Sequence, residues 1–208
     1  MKIIKPYYEI MTQINREEIL KTLEIAGRVC YKSEDKITED SASKFVKNLV
    51  NRGHEAMIEH VSLTVKFICD RGVSHEIVRH RIANYAQEST RYCNYSKGKY
   101  GNEITVIEPF YWEEGSINYG LWEDACNYAE RTYLRLIKEG ATPQEARSVL
   151  PNSLKTEIVV TMNLRELRHF FRLRTAKTAH PQMREITIPL LNELKEKLPE
   201  IFGDIDIE

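Results

Sequence analysis

A polar segment of the chain, RHRIANYAQESTRYCNY, has the residue types of a site for a phosphate and a polar ring. Arg79, His80 and Arg81 are consecutive, and residues 87–91 add an amide, a carboxylate, a hydroxyl and another guanidinium group. Guanidinium groups bind phosphate well because their planar fork donates parallel hydrogen bonds. Three consecutive residues cannot share one helix face, so at least one of them must face the core or a subunit boundary. The alternative for these cations is a surface helix end, where they would complement the helix dipole.

A second cluster of cations lies in the segment NLRELRHFFRLR. Arg165 and His169 are four residues apart and share one face of a predicted helix. Asn163 is predicted to cap that helix, and Arg174 ends its apolar pattern, where a side chain can leave the helix and meet a ligand. The predicted buried side consists of apolar residues: Leu164, Leu167, Phe170, Phe171 and Leu173. For the remaining arginine pair a solvated helix face is the preferred interpretation: Arg168 and Arg172.

Two histidines lie in the segment GHEAMIEH, but their spacing is not that of an HExxH zinc site. His54 and His60 are six residues apart, which on a helix places them on divergent faces. His54 is therefore predicted to be a polar contact to a ligand or a satisfied loop histidine. Ser89 lies outside any GxSxG elbow, so it is predicted to form hydrogen bonds rather than to act as a nucleophile.

The composition is that of a globular protein with a single domain. The chain has 208 residues, of which 42% are hydrophobic and 29% charged, and its net charge of −1 argues against a protein built for nucleic acid. The four cysteines form no CxxC pair, which indicates reduced thiols. No apolar run has the length of a signal peptide or a membrane span, and the cytoplasm is the predicted location. Neither GxGxxG nor a P-loop is present.

The elements that must position these segments are helices and strands without regular alternation, which predicts an α+β fold. The predicted strands cover residues 61–69, 104–107 and 154–162. The predicted helices cover 15–31, 43–52 and 117–139, and others begin at TPQE, at Asn163 and, as the last one, at Pro181. Ser74 is predicted to cap one more helix, which would carry Ile77, Val78 and Ile82.

Together these segments resemble the flavin-dependent thymidylate synthases. The signature of that family is RHR, seven residues, Ser and then RY two positions on, and RHRIANYAQESTRY matches it. GHEAMIEH is similar to the family's GHxxxxEH segment, while ARSVLP and NLRELRHFFRLR are similar to its C-terminal blocks. The similarity extends from about residue 20 to about residue 190.

The resemblance implies an α+β single domain that assembles into a homotetramer with active sites shared between subunits. It implies the conversion of dUMP to dTMP. The methylene group would come from 5,10-methylenetetrahydrofolate and the hydride from reduced FAD, with NADPH recharging the flavin.

The resemblance also implies roles for individual residues. The positions matching flavin-binding residues of the family are His54, Ala56, Arg79, His80, Arg81, Asn163, Arg165 and His169. The positions matching or bordering dUMP-binding residues are Glu76, Arg79, Gln87, Glu88, Ser89, Arg91, Arg147 and Arg174. Arg174 resembles the catalytic residue that makes the uracil ring reactive, because a fixed guanidinium favours the N3-deprotonated ring and enriches electrons at C5.

Several positions depart from the family pattern. Asn84 and Cys30 stand where Ser is commoner, Glu76 replaces a commoner Gln, and Ala56 lacks a hydroxyl that some relatives offer the flavin. The loop TAKTAHPQMRE is longer than in some members. A carboxylate near a phosphate would repel it, so we expect Glu76 to face a sugar hydroxyl or a cation.

Two other classes of function compete with this interpretation. A non-catalytic nucleotide- or RNA-binding protein could stack bases on tyrosines beside the arginines: Tyr85, Tyr92, Tyr95 and Tyr100. The net charge of −1 argues against it. A metal-dependent hydrolase would need clustered histidines and carboxylates, which the sequence does not reveal.

Overall fold

Helices and strands are interspersed along the chain, which confirms the predicted α+β class. A computed structural model describes residues 1–207. The strands are β1 (Lys2–Ile4), β2 (Tyr7–Ile10), β3 (Ser62–Asp70), β4 (Ala83–Gln87), β5 (Thr105–Ile107) and β6 (Lys155–Asn163). The α-helices are α1 (Arg16–Val29), α2 (Ser41–Asn51), α3 (Arg71–Ile77), α4 (Ile117–Lys138), α5 (Pro143–Ala146), α6 (Leu164–Arg174), α7 (Pro181–Lys197) and α8 (Pro199–Phe202). Among the described residues, no helix combines the length and apolarity that a membrane span requires.

The strands pair in two groups. β1 and β5 are parallel, with Ile3 opposite Val106. β2, β3, β6 and β4 form a four-stranded sheet in that order. Burial alternates along β6 from residue to residue, as expected of a strand with one buried face. Since β6 ends at Asn163, the sheet fixes the point at which α6 begins.

Contacts divide the chain into two units. Unit 1 consists of Met1–Tyr7, Phe67–Arg79 and Ala86–Val159. Unit 2 consists of Tyr8–Lys66, His80–Tyr85 and the chain from Val160 onward.

Unit 1 has its core around α4 and β5. The rings of Tyr95 and Tyr133 pack with their centroids 5.6 Å apart, and Trp122 Nε1 donates a hydrogen bond of 2.9 Å to Ser153 Oγ. The buried cluster consists of Tyr95, Ile104, Val106, Cys126, Tyr133, Ala146 and Leu154.

Unit 2 is mainly helical, with α1 packed on α2, α2 on α8 and α6 on α7. Gly27 permits the close approach of α1 and α2, because a Cβ at this position would lie 2.6 Å from Phe45 Cε1. Phe171 and Phe202 pack edge to face with ring centroids 5.8 Å apart.

Most predicted helix ends are confirmed. The Oδ1 atoms of Asn15 and Asn163 accept the backbone N–H groups of residues three positions on, and TPQE forms a capping box. Gly53 and Gly140, which follow α2 and α4, have φ values of 71° and 98°. This left-handed conformation suits glycine and stops each helix where the sequence predicts.

The prediction that Ser74 caps a helix is wrong. Asp70 caps α3, since its Oδ1 accepts the Val73 N–H at 2.6 Å, and Ser74 lies inside the helix. The helix ends at Ile77, so Ile82 lies outside it and is exposed. The chain then enters β4, a strand that the sequence analysis did not predict because its short, polar stretch lacks β-branched residues.

Two predictions about the C-terminal helices also need correction. Pro181 does begin a helix, but not the last one, because α8 follows α7 after a break at Leu198. Leu173 is exposed rather than buried, because the helical repeat places this position away from the apolar face of α6.

Arg168 is fully buried, which contradicts the solvated face predicted for it. Its Nε donates to Glu55 Oε1 at 3.0 Å, and its Nη1 and Nη2 donate to the two oxygens of Asp204 at 2.5 and 2.7 Å. The carbonyl oxygen of Ile201 accepts a further bond. Arg172 does have an exposed side chain, at 47%, and also contacts Glu55. A buried guanidinium requires such partners, which the sequence of α6 alone does not contain.

We expect Arg168→Met to lower the free energy of unfolding by about 3 kcal/mol, because it leaves two carboxylates without their buried partner. Urea unfolding at constant protein concentration would measure the change.

Arg172→Met is the matched control. It removes an exposed cation from the same helix and should cost less than about 1 kcal/mol. Equal losses for the two variants would contradict a dominant role for Arg168.

Candidate active site

His80 lies at the centre of a hydrogen-bonded row of three side chains in unit 2. Its Nδ1 is 2.9 Å from Glu166 Oε1, and Arg174 Nε donates to its Nε2 at 3.1 Å. The ring is buried, in agreement with the expectation that one residue of the RHR triplet faces the interior. Arg79 and Arg81 on either side are exposed.

The start of α6 explains why Glu166 reaches this ring. Asn163 caps the helix by accepting the Glu166 N–H at 2.8 Å, which fixes the first turn. Phe170, one turn later, packs edge to face on His80 with ring centroids 5.0 Å apart. His169 also packs edge to face on His80, with ring centroids 5.7 Å apart. The same helix therefore supplies the carboxylate, the apolar wall and, at its last residue, Arg174.

The electrostatic environment favours a neutral His80. Burial lowers the pKa of His80 below its ordinary value of 6.5, and the positive charge of Arg174 lowers it further. The hydrogen bond and charge of Glu166 raise it, but they do not outweigh burial.

A cleft of about 500 Å³ opens beside this row. It brings together three of the predicted flavin-binding residues, Asn163, Arg165 and His169. Arg165 Nη1 forms an exposed ion pair of 2.5 Å with Glu59 Oε1. The lining of the cleft consists of Glu55, Glu59, Ile82, Asn163, Arg165, Glu166, His169 and Arg172. Its donors suit an anionic ligand with several polar atoms.

Two other predicted flavin-binding residues, His54 and Ala56, line a separate cleft of about 330 Å³ in unit 2. Cys30 lines it too, with its Sγ 3.9 Å from Met57 Sδ. The two family departures at Cys30 and Ala56 therefore occur in the same cleft. Its full lining is Gly27, Cys30, Tyr31, Leu49, His54, Ala56 and Met57.

In unit 1, Gln87 and Glu88 are held by neighbouring side chains. Gln87 Nε2 donates to Ser74 Oγ at 2.9 Å, and Lys155 Nζ forms an ion pair of 3.0 Å with Glu88 Oε2. Lys155 also pairs with Glu157 at 2.7 Å, and these carboxylates raise its pKa against the effect of burial. Glu88 is thus a neutralised, positioned acceptor rather than an isolated charge.

One further predicted dUMP residue, Arg147, lines a cleft of about 520 Å³ in unit 1, and its Nη1 donates to Thr90 Oγ1 at 3.4 Å. Ser89 Oγ accepts the backbone N–H of Arg91 at 3.3 Å, which supports a hydrogen-bonding role for this serine. The lining consists of Arg71, His75, Thr90, Gln144, Arg147, Ser148, Leu150, Pro151 and Asn152.

Three predicted site residues of unit 1 line neither the cleft of about 520 Å³ nor the cleft of about 500 Å³: Glu76, Arg79 and Arg91. Glu76 is half-buried on α3, and Arg79 follows that helix. Arg91 is exposed and stacks its guanidinium 5.4 Å from the ring centroid of Tyr92. These three residues keep their assigned roles as predictions.

The sequence analysis missed a cluster of two histidines and a carboxylate: His80, Glu166 and His169. Their ligand atoms lie within 4.8 Å of one another, although the residues come from separate segments. Arg174 donates to His80 Nε2, so a metal bound there would meet a fixed cation. The geometry favours a hydrogen-bonded pair over a metal centre. The signal for Glu166 in the sequence is its place three residues after the capping Asn163, which by itself predicts only a helix start.

The family described as "Thymidylate synthase complementing protein" matches residues 13–200. The chain belongs to the flavin-dependent thymidylate synthase family. The flavin-dependent thymidylate synthase of Geobacter sulfurreducens is 33% identical over 187 residues, covering 86% of this chain and 79% of the relative. That of Pyrococcus abyssi is 34% identical over 185 residues, covering 86% and 75%. That of Corynebacterium glutamicum is 31% identical over 218 residues, covering 96% and 84%.

The described cysteines of this family member are free thiols, as predicted, but they differ in environment. Cys30 is exposed in the His54 cleft, whereas burial raises the pKa of Cys69 strongly and that of Cys126 to about 11. Because the thiolate is the reactive form, we expect Cys30 to react with iodoacetamide at pH 8 about a hundredfold faster than either buried thiol.

Mass spectrometry of peptides at timed intervals would measure the three rates, with Cys30→Ser as the control. Labelling of Cys69 as fast as Cys30 in the folded protein would contradict the burial of β3.

Proposed function

We propose that the protein methylates dUMP reductively to dTMP, with 5,10-methylenetetrahydrofolate as the carbon donor, reduced FAD as the hydride donor and NADPH as the reductant of the flavin. The observation that carries the proposal is the meeting of the RHR segment with α6. His80 and Glu166 are 86 residues apart in sequence but share a hydrogen bond, and both belong to motif blocks of the family.

The donors of unit 2 fit FAD. Arg165 and His169 line the cleft of about 500 Å³, and Arg81, next to His80 in sequence, is exposed. Arg79 belongs to unit 1, is exposed as well and is proposed to bind FAD on the resemblance alone. A diphosphate needs such cations and N–H donors. Arg165 forms an ion pair with Glu59 in the structure. Because an exposed ion pair contributes little to stability, replacing the Glu59 carboxylate by a phosphate of the ligand would cost little free energy. When bound, FAD supplies hydride transfer chemistry.

The polar set of unit 1 fits dUMP. Arg91 and Arg147 would bind its phosphate, with Ser89 donating a hydrogen bond, while Gln87 and Glu88 would contact the nucleoside. Glu76 would face a sugar hydroxyl or a cation. Lys155 supports this assignment, because it neutralises Glu88 and lowers the repulsion between that carboxylate and an incoming phosphate.

Arg174 would act on the uracil ring. Its guanidinium is positively charged, so it would stabilise negative charge on the ring and favour the N3-deprotonated form. The electron density at C5 then rises, and no enzyme nucleophile is needed at C6. Ser89 accordingly binds the substrate and does not form a covalent bond with it.

We further propose that residues 1–208 form one catalytic domain, and that the enzyme works in the cytoplasm as a homotetramer whose subunits share active sites. A shared site accounts for exposed cations such as Arg91, which another subunit or the ligand would pair.

The nucleotide- or RNA-binding alternative has less support. Tyr95 is only 4% exposed and packs against Tyr100 and Tyr133, so it cannot stack on a base. Tyr85 donates its hydroxyl to the carbonyl oxygen of His80. Tyr92 remains exposed, but one aromatic side chain is a weak platform for a single strand.

We expect the purified protein to show a flavin absorption spectrum after addition of FAD, to bleach with NADPH and to recover in air. Arg165→Met should raise the Kd for FAD about tenfold, because a charged hydrogen bond is lost.

Arg131→Met, which removes an exposed arginine from α4, should leave the Kd unchanged. Failure of the wild-type protein to bind flavin when FAD is supplied would overturn the proposed function.

We expect Arg174→Ala to lower kcat for dTMP formation about a hundredfold or more, because a preorganised charge next to the ring is removed. Ser89→Ala should mainly raise KM, since Ser89 binds rather than reacts. Near-wild-type turnover of Arg174→Ala would contradict the role of Arg174, and complete inactivity of Ser89→Ala with bound dUMP would point to a nucleophile.

A further inference from the structure

Glu166 is a buried carboxylate to which the family motifs give no role. It occupies the third position of α6 and is 8% exposed. A glutamate at this position commonly turns back to the capping residue, as Glu145 does with Thr142 in α5. The carboxylate of Glu166 instead points inward and contacts His80 Nδ1. Its burial and its distant partner indicate more than helix capping.

The two contacts of His80 together determine where its proton lies. Arginine Nε is a donor and has no acceptor capacity, so His80 Nε2 must accept the bond from Arg174 and carry no proton. The proton of a neutral ring is then on Nδ1, which donates it to Glu166 Oε1. The opposite tautomer would place an N–H against the Arg174 N–H and leave Nδ1 facing a carboxylate without a proton between them.

We propose that Glu166 is a positioning residue for Arg174, acting through His80: it holds the Nδ1–H tautomer, and the free Nε2 lone pair then orients the Arg174 guanidinium. The inference rests on the proposed function, in which Arg174 acts on the uracil ring. Glu166 itself does not touch the substrate. Glu166 lies in the first turn of α6 and Arg174 is its last residue, so one helix supplies both side chains that contact the His80 ring.

The other groups around His80 do not replace this pair of contacts. Tyr85 donates to the backbone carbonyl of His80 rather than to the ring, and burial raises its pKa to about 12, so it stays neutral. Phe170 offers only an apolar wall. His169 approaches edge to face and is exposed. Glu166 and Arg174 are thus the groups that contact its ring nitrogens.

Protonation of His80 would break the row. An imidazolium carries a proton on Nε2 as well, so it can no longer accept the bond from Arg174, and the two positive charges repel. Turnover should therefore fall on the acid side as His80 gains its second proton. The carboxylate of Glu166 raises the pKa of His80. Removing the charge of Glu166 should therefore move the acid limb of the pH profile, which is the fall in turnover at low pH, to a lower pH.

The first test is independent of turnover. In protein labelled with ¹⁵N and ¹³C at histidine, long-range NMR correlations should assign the Nδ1–H tautomer to His80 at pH 7. Glu166→Gln should retain it, because the amide oxygen still accepts from Nδ1, and Glu166→Leu should shift it toward Nε2–H. An Nε2–H tautomer or an imidazolium in the wild-type protein would overturn the proposal, whether or not the protein makes dTMP.

The second test is kinetic. Glu166→Leu should lower kcat about tenfold with bound flavin retained, and the double variant with Arg174→Ala should be no slower than Arg174→Ala alone. Glu166→Gln should recover most of the turnover and shift the acid limb downward. Glu196→Gln, an exposed substitution on α7, is the control for charge.

Independent, multiplying losses from the Glu166 and Arg174 substitutions would reject the coupling. If Glu166→Leu does not fold, the pH profile of Glu166→Gln decides: an unmoved acid limb contradicts the proposal. If wild-type protein binds flavin but makes no dTMP, the proposed function fails, while the NMR result still tests the link between Glu166 and His80.

Discussion

A charged group removed from water must find its partner inside the protein, and helix α6 buries two of them. Glu166 is paired with His80, and Arg168 with Glu55 and Asp204. Each partner comes from a distant segment of unit 2. The need to satisfy these two charges therefore ties the RHR segment, the GHEAMIEH segment and the C-terminal residues to one helix. Hydrophobic packing alone would tolerate small rotations of α6, whereas the bidentate ion pair of Arg168 with Asp204 and the hydrogen bond of Glu166 to His80 restrict them.

The same helix orients a cation through a neutral ring. His80 Nε2 accepts the N–H of Arg174 Nε and adds no charge of its own, because burial keeps the imidazole neutral. Glu166 contacts the opposite nitrogen of the ring, so its negative charge lies across the imidazole from the Arg174 Nε. In the proposed function, in which Arg174 acts on the uracil ring, this row would orient the guanidinium through a group that carries no charge.

Local rules account for the parts that the sequence predicted well. Caps at Asn15, Thr142 and Asn163, glycines after α2 and α4, and the alternation in β3 and β6 depend on neighbours within a few residues. Two of the errors involve a long-range partner or a competing local signal. Arg168 was predicted to be solvated because its partner Asp204 lies 36 residues away in sequence. Ser74 was predicted as a cap although Asp70, which follows the predicted strand directly, accepts the Val73 N–H in the structure. The motif residues follow from the resemblance, whereas the partner of Glu166 lies 86 residues away in sequence and no local rule predicts it.

The His54 cleft differs in character from the two polar clefts, and its sequence explains why. Cys30 and Ala56, neither of which offers a hydroxyl group, line this cleft with Leu49 and Met57. Thioether and thiol groups are weak hydrogen-bonding partners and soft, polarizable surfaces. A ligand portion that enters here is therefore held mainly by packing, with His54 as its principal polar contact. Unit 2 accordingly combines a cleft lined mainly by charged and polar side chains with one lined mainly by apolar and sulfur-containing side chains, so the two clefts suit ligand groups of different polarity.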